Sequence, residues 1–80
     1  MSTGDLQRLL GKRLREIRIE RDLSQEKLAD HLGFHRTYVG GIERGERNLS
    51  LQSVEELAAL LGVAPLDLLT EAPATTRNTR

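Results

Sequence analysis

The stretch LSQEKLADHLGFHRTYVGGIERGERNLSL, from Leu23 to Leu51, constrains the fold of this chain more than any other. Ser24 is a good helix N-cap, since its side-chain oxygen can take up an orphan N–H of the first turn, and Gln25-Glu26-Lys27-Leu28-Ala29-Asp30 are ordinary helix residues. A helix therefore begins at Gln25 and runs to about Leu32. Gly33 stops it by taking the positive φ that a helix end usually requires, and Phe34 supplies an apolar plug. His35 starts a second short helix, with Val39 and Ile42 on its inner side and Arg36, Thr37, Gly40 and Gly41 on its outer side.

The rest of the chain continues in helices. Leu10, Leu14 and Ile17 form a buried stripe on a first helix running from Asp5 or Leu6 to about Arg21, and Leu23 closes the turn after it. Ser50 is a second N-cap, opening a helix that carries Leu51, Val54, Leu57, Ala58 and Leu61 on one face and ends at Gly62. Pro65 suits a first helical turn, so a fifth helix is expected from Pro65 to Leu69 or Thr70. The reading is a compact, all-α, five-helix domain over residues 5–71, followed by a tail, 72–80, that is too poor in apolar residues to fold. Aromatic residues are 2% of the chain, so the core must be aliphatic, with Phe34 and Tyr38 its only rings.

Composition narrows the function. There is no cysteine, hence no disulfide framework or thiolate metal site, and a reducing cytoplasm is the expected location. The N-terminus has charges every few residues and no apolar run of signal-peptide or membrane-spanning length, so no membrane partner is expected. Twelve Lys and Arg balance twelve Asp and Glu, which argues against a polycation that coats any nucleic acid. The balance is local, however: ten basic residues face seven acidic ones between Arg8 and Arg47, while Ser50 to Glu71 holds four acids and no base. No nucleophile, carboxylate dyad or phosphate-cradling glycine loop emerges, so an enzyme is not expected, nor is any cofactor. His31 and His35 are four apart, but Gly33 interrupts their helix and no third ligand is evident, so no metal site is expected.

The segment resembles the Xre-type, lambda-repressor-like helix-turn-helix family, in which SQ-x-x-LA, a glycine, a short recognition helix and I-E-R-G recur in this order. Within that family, RTYVGGIERG from Arg36 and the following Arg47-Asn48-Leu49-Ser50-Leu51 are similar to the controller proteins of restriction-modification systems. The resemblance implies a lambda-repressor-like DNA-binding domain. It further implies a sequence-specific transcriptional regulator acting as a homodimer on a palindromic double-stranded DNA operator, in a bacterial or phage cytoplasm and associated with the nucleoid. The alternatives are a phage-type repressor and an antitoxin that represses its own toxin–antitoxin pair. No small-molecule ligand is expected, because nothing beyond the DNA-binding domain is long enough to hold one.

Site residues follow from position in the motif. Arg36 opens the recognition helix, where a guanidinium can donate two parallel hydrogen bonds to guanine O6 and N7, and Thr37 follows on the same edge; both are expected to contact bases. Gln25, at a helix N-terminus, is where family members clamp a phosphate. Tyr38, Arg44, Arg47 and Asn48 are further phosphate candidates, although Tyr38 can instead pack on the first helix and Arg44 can instead pair with Glu46. Gly41 stands where larger family side chains read bases, and each helical glycine costs about 1 kcal/mol relative to alanine, so something must offset the pair at 40 and 41. Glu43 is assigned to structure, in an ion pair with Arg18 that the resemblance implies. Surplus apolar residues Leu49, Leu60, Leu66, Leu68 and Leu69 are expected to form the dimer interface.

Overall fold

A computed structural model describes residues 3–71, and the expected tail lies outside them. Four α-helices follow one another: α1 (Asp5–Glu20), α2 (Gln25–Leu32), α3 (Arg36–Glu43) and α4 (Leu51–Leu61). Among the described residues there is no strand. Both serine caps form, with Ser24 Oγ accepting from Lys27 N and Ser50 Oγ from Ser53 N, each at 3.0 Å. His35 is the N-cap of α3 and not its first helical residue.

The expected fifth helix is a single 3₁₀ turn, Pro65–Leu68. Its hydrogen bonds close over three residues, Asp67 N to Ala64 O at 2.9 Å and Leu69 N to Leu66 O at 3.0 Å. Thr70 Oγ1 also donates to the Leu66 carbonyl, at 3.0 Å, so the carbonyl that would start the next turn is already occupied.

Leu10, Leu14 and Ile17 of α1 meet Leu28, Ala29 and Leu32 of α2, Val39 and Ile42 of α3, and Val54, Leu57, Ala58 and Leu61 of α4 in one aliphatic core. Burying each leucine, isoleucine or valine side chain here contributes about 1.5–3 kcal/mol. Leu51 departs from its expected place on the buried face of α4: it is 79% exposed, because as the first residue of that helix it stands at the rim of an open apolar groove. Arg13 Nε donates to Asp67 O at 2.8 Å and Arg21 Nη2 to Leu61 O at 2.8 Å, so α1 also fastens the C-terminal turn and the end of α4.

The close approach of α1 to α3 rests on Gly11. A Cβ on that residue would lie 2.2 Å from Ile42 O and 2.6 Å from Glu43 O, both backbone atoms. Gly45 combines a φ of 76° with a similar squeeze, its Cβ position being 2.8 Å from Arg8 Cγ. The turn leaving α3 therefore lies directly on α1.

Candidate nucleic-acid interface

The turn between α2 and α3 sets the attitude of the candidate reading helix. Gly33 has φ 75°, which lets Phe34 N donate back to Ala29 O at 2.9 Å and close the helix end. Phe34 then meets Tyr38 edge to face, centroids 5.2 Å apart and planes at 89°, pinning the first turn of α3 to the connection before it. Arg36 and Thr37 are left exposed, and their side chains have no hydrogen bond or ion pair among the described residues.

The far end of α3 is held by one carboxylate. Glu43 Oε2 accepts from Arg18 Nε at 2.7 Å, and Oε1 accepts from Arg18 Nη2 at 3.1 Å and from Gln25 Nε2 at 3.0 Å. Arg18 Nη1 donates in addition to Leu23 O at 2.9 Å. The Arg18 and Glu43 side chains are only 13% and 4% exposed, so this two-pronged pair binds α1, α3 and the start of α2 away from water. Gln25 was expected at a phosphate. Its carboxamide has one N–H on Glu43, which fixes its orientation at the N-terminus of α2 and leaves a second amide hydrogen for another acceptor.

The two glycines of α3 make room for side chains from elsewhere. A Cβ on Gly40 would be 3.1 Å from Arg44 Nη1 and 3.5 Å from Gln25 Oε1, and one on Gly41 would be 3.1 Å from Arg47 Cγ and Cδ. Over Gly41 the stem of Arg47 runs to place its guanidinium 4.6 Å above the Tyr38 ring. Sequence reasoning did not find this stacking, nor Gln7, whose Nε2 donates to Arg47 O at 3.2 Å and steadies the loop. Their partners lie across the fold and leave no local pattern. Tyr38 is half-buried, between Phe34 and Arg47. Arg44 pairs with Glu46 at 3.1 Å; Asn48 is exposed, without a side-chain partner among the described residues.

The leucines expected at an interface separate into three groups. Leu60 and Leu66 are exposed, 54% and 70%, while Leu49 and Leu69 are half-buried against the core. Leu68 is fully buried and so cannot serve as a surface contact: the 3₁₀ turn points it inward as the plug of the core's open end. Two residues not expected at that interface, Leu6 and Leu51, line an apolar groove with Leu10, Leu49, Val54 and Leu69. Among the described residues no helix is long and apolar enough to cross a membrane.

An all-helical domain in which a glycine turn sets a short exposed helix against a capped one is a helix-turn-helix protein. The chain belongs to the Xre-like helix-turn-helix family HTH_3, whose profile matches residues 14–68. It is 47% identical over 68 residues to control protein C.BamHI of Bacillus amyloliquefaciens, across 84% of each chain. The restriction-modification controller protein C.AhdI of Aeromonas hydrophila has the same fold, with TM-score 0.68 and 48% identity over 78% of this chain and 94% of that one. A third relative, controller protein C.Esp1396I, was crystallised as a tetramer with its natural 35 base-pair operator. It is 34% identical, with TM-score 0.68, over 80% of this chain and 84% of its own.

Proposed function

We propose that this chain is a sequence-specific DNA-binding transcriptional regulator that acts as a homodimer and controls the genes of a restriction-modification system. The observation that carries the reading is α3 itself: a helix locked from behind by Arg18, Glu43 and Gln25, with Arg36 and Thr37 unpartnered on its open edge. Such an edge suits the major groove, where an arginine reads guanine with two hydrogen bonds. Gln25, Arg47, Asn48 and Tyr38 border that edge as contacts to phosphate. The controller role is supported by the names of the relatives, C.BamHI and C.AhdI.

Double-stranded DNA is the partner, and the exposed Leu60, Leu66 and Leu51 supply apolar surface for a second copy. With no effector site proposed, the protein's own concentration sets occupancy of the operator. The test is a binding selection on randomised duplexes with the full chain. The expected outcome is a two-fold symmetric site whose half-site centres lie about 34–36 Å apart. A selection that enriches no sequence would reject the reading. Methyltransferase and endonuclease genes beside this one would support the controller role, whereas a small toxin gene would favour the antitoxin and a prophage setting the phage-type repressor.

A further inference from the structure

A cleft of about 370 Å³ opens beside the recognition unit, between α1 and the end of α3. Its walls carry Arg8, Lys12 and Arg15, at i, i+4 and i+7 on one face of α1, together with Arg44 just past α3. Two carboxylates, Glu16 and Glu43, also line it, but both are neutralised from outside. Glu16 accepts from Arg13 at 2.8 Å and Glu43 from Arg18 at 2.7 Å. The counter-ions of the cleft's own cations lie at the surface: Glu71 beside Lys12 and Glu46 beside Arg44 are exposed, and Asp5 beside Arg8 is half-buried. Surface pairs of this kind contribute little and exchange readily for a stronger anion. Arg15 has no ion-pair partner among the described residues.

The cleft is continuous with the proposed phosphate clamp. Arg44 and Gln25 both approach Gly40, their side-chain ends 3.1 Å and 3.5 Å from that residue's Cβ position, and Arg44 also lines the cleft. From there the cations run along α1 with a rise of about 4.5–6 Å between neighbours, a row suited to a linear polyanion. Exposed Ile19 gives the row an apolar floor of the kind a deoxyribose can cover.

We propose that this cleft holds the DNA backbone just outside each half-site, with Lys12 and Arg15 contacting phosphates that the helix-turn-helix does not reach. The inference rests on the DNA-binding reading above. It makes the affinity for a site depend on the length of duplex around it, although no base there is read.

The experiment compares two duplexes carrying the selected site, one ending at the outer edge of each half-site and one extended by a full helical turn of unrelated sequence on both sides. Full-length wild-type protein is measured beside a Lys12→Gln, Arg15→Gln double variant, with melting curves to show that both are folded. Wild type is expected to bind the long duplex more tightly, with a log–log salt slope steeper by about 3.6 per dimer for two phosphates per subunit, so that the flank's advantage shrinks by about two orders of magnitude when salt rises fourfold. The double variant is expected to bind both duplexes equally, at the wild-type affinity for the short one. Equal wild-type affinity for the two lengths would overturn the cleft proposal while leaving the DNA-binding reading intact. Failure to bind either duplex specifically would overturn both. A variant that keeps the flank effect but sediments as a different oligomer would assign the cleft to a second copy and reject the DNA-backbone role.

Discussion

Gln25 and Arg36 open the two helices of one motif, yet their surroundings give them separable roles. Arg36 is exposed and tied to nothing, so Arg36→Ala should leave the melting temperature unchanged, lower specific affinity by about 1–3 kcal/mol per subunit and relax preference at one guanine in each half-site. A selection repeated with the variant checks this, and an unaltered base preference would move reading elsewhere. Gln25 donates to a buried carboxylate, so Gln25→Ala should weaken binding to all sequences alike and also lower stability by about 1 kcal/mol, as seen by denaturant titration. Glu43 presents the extreme case. Glu43→Ala leaves the Arg18 guanidinium buried without its counter-charge, a loss of about 3–5 kcal/mol, comparable to all that a domain of this size has. Circular dichroism is expected to show that variant largely unfolded at room temperature; a wild-type melting curve would show that the pair is dispensable.

At the scale of elements, the glycines decide which contacts are rigid and which can yield. Gly11→Ala sets a methyl against two backbone carbonyls, so α1 must move off α3, and a loss of at least about 1–3 kcal/mol is expected. Gly40→Ala meets only the mobile end of Arg44 and the Gln25 carboxamide, so the gain in helix propensity, up to about 1 kcal/mol, should show as equal or higher stability. Thermal melts of the two variants should therefore shift in opposite directions, and a stable Gly11→Ala protein would contradict the close crossing. The helices themselves were legible because serine caps, glycine stops and apolar spacing are local chemistry: Ser24, Gly33, Ser50 and Gly62 lie where the pattern put them. Gly11 was not legible, since in the sequence it is one more residue of a helix, and only the crossing shows why a side chain is excluded. The roles of Gly40 and Gly41 as room for Gln25, Arg44 and Arg47 were hidden for the same reason. The last element was misjudged because proline and leucine spacing suits either type of helix, and the hydroxyl of Thr70 back on Leu66 helps close a single turn.

For the whole molecule, a net charge of zero makes affinity depend on where the cations sit. If each subunit neutralises about three to four phosphates, binding of a dimer to the short duplex should fall with salt at a log–log slope of about −5 to −7, and a slope near zero would reject a DNA-binding face. Dimer formation can be separated from folding by two leucines two residues apart. Leu68 is wholly buried, so Leu68→Ala opens a cavity with an expected loss of about 2–5 kcal/mol and acts on the monomer's own stability. Leu66 is 70% exposed on the outer side of the same turn, and a lysine there keeps its stem on the surface with its charge in water. Leu66→Lys should accordingly fold as well as wild type, yet place a charge in the proposed contact between copies, repeated by symmetry on both sides. Sedimentation velocity on the folded variant is expected to show a monomer at concentrations where wild type is a dimer, with cooperative operator binding lost at the same protein concentration. A Leu66→Lys protein that dimerises like wild type would exclude the 3₁₀ turn and leave Leu60 of α4 or the groove beside Leu6 and Leu51 as the surface that meets the second copy.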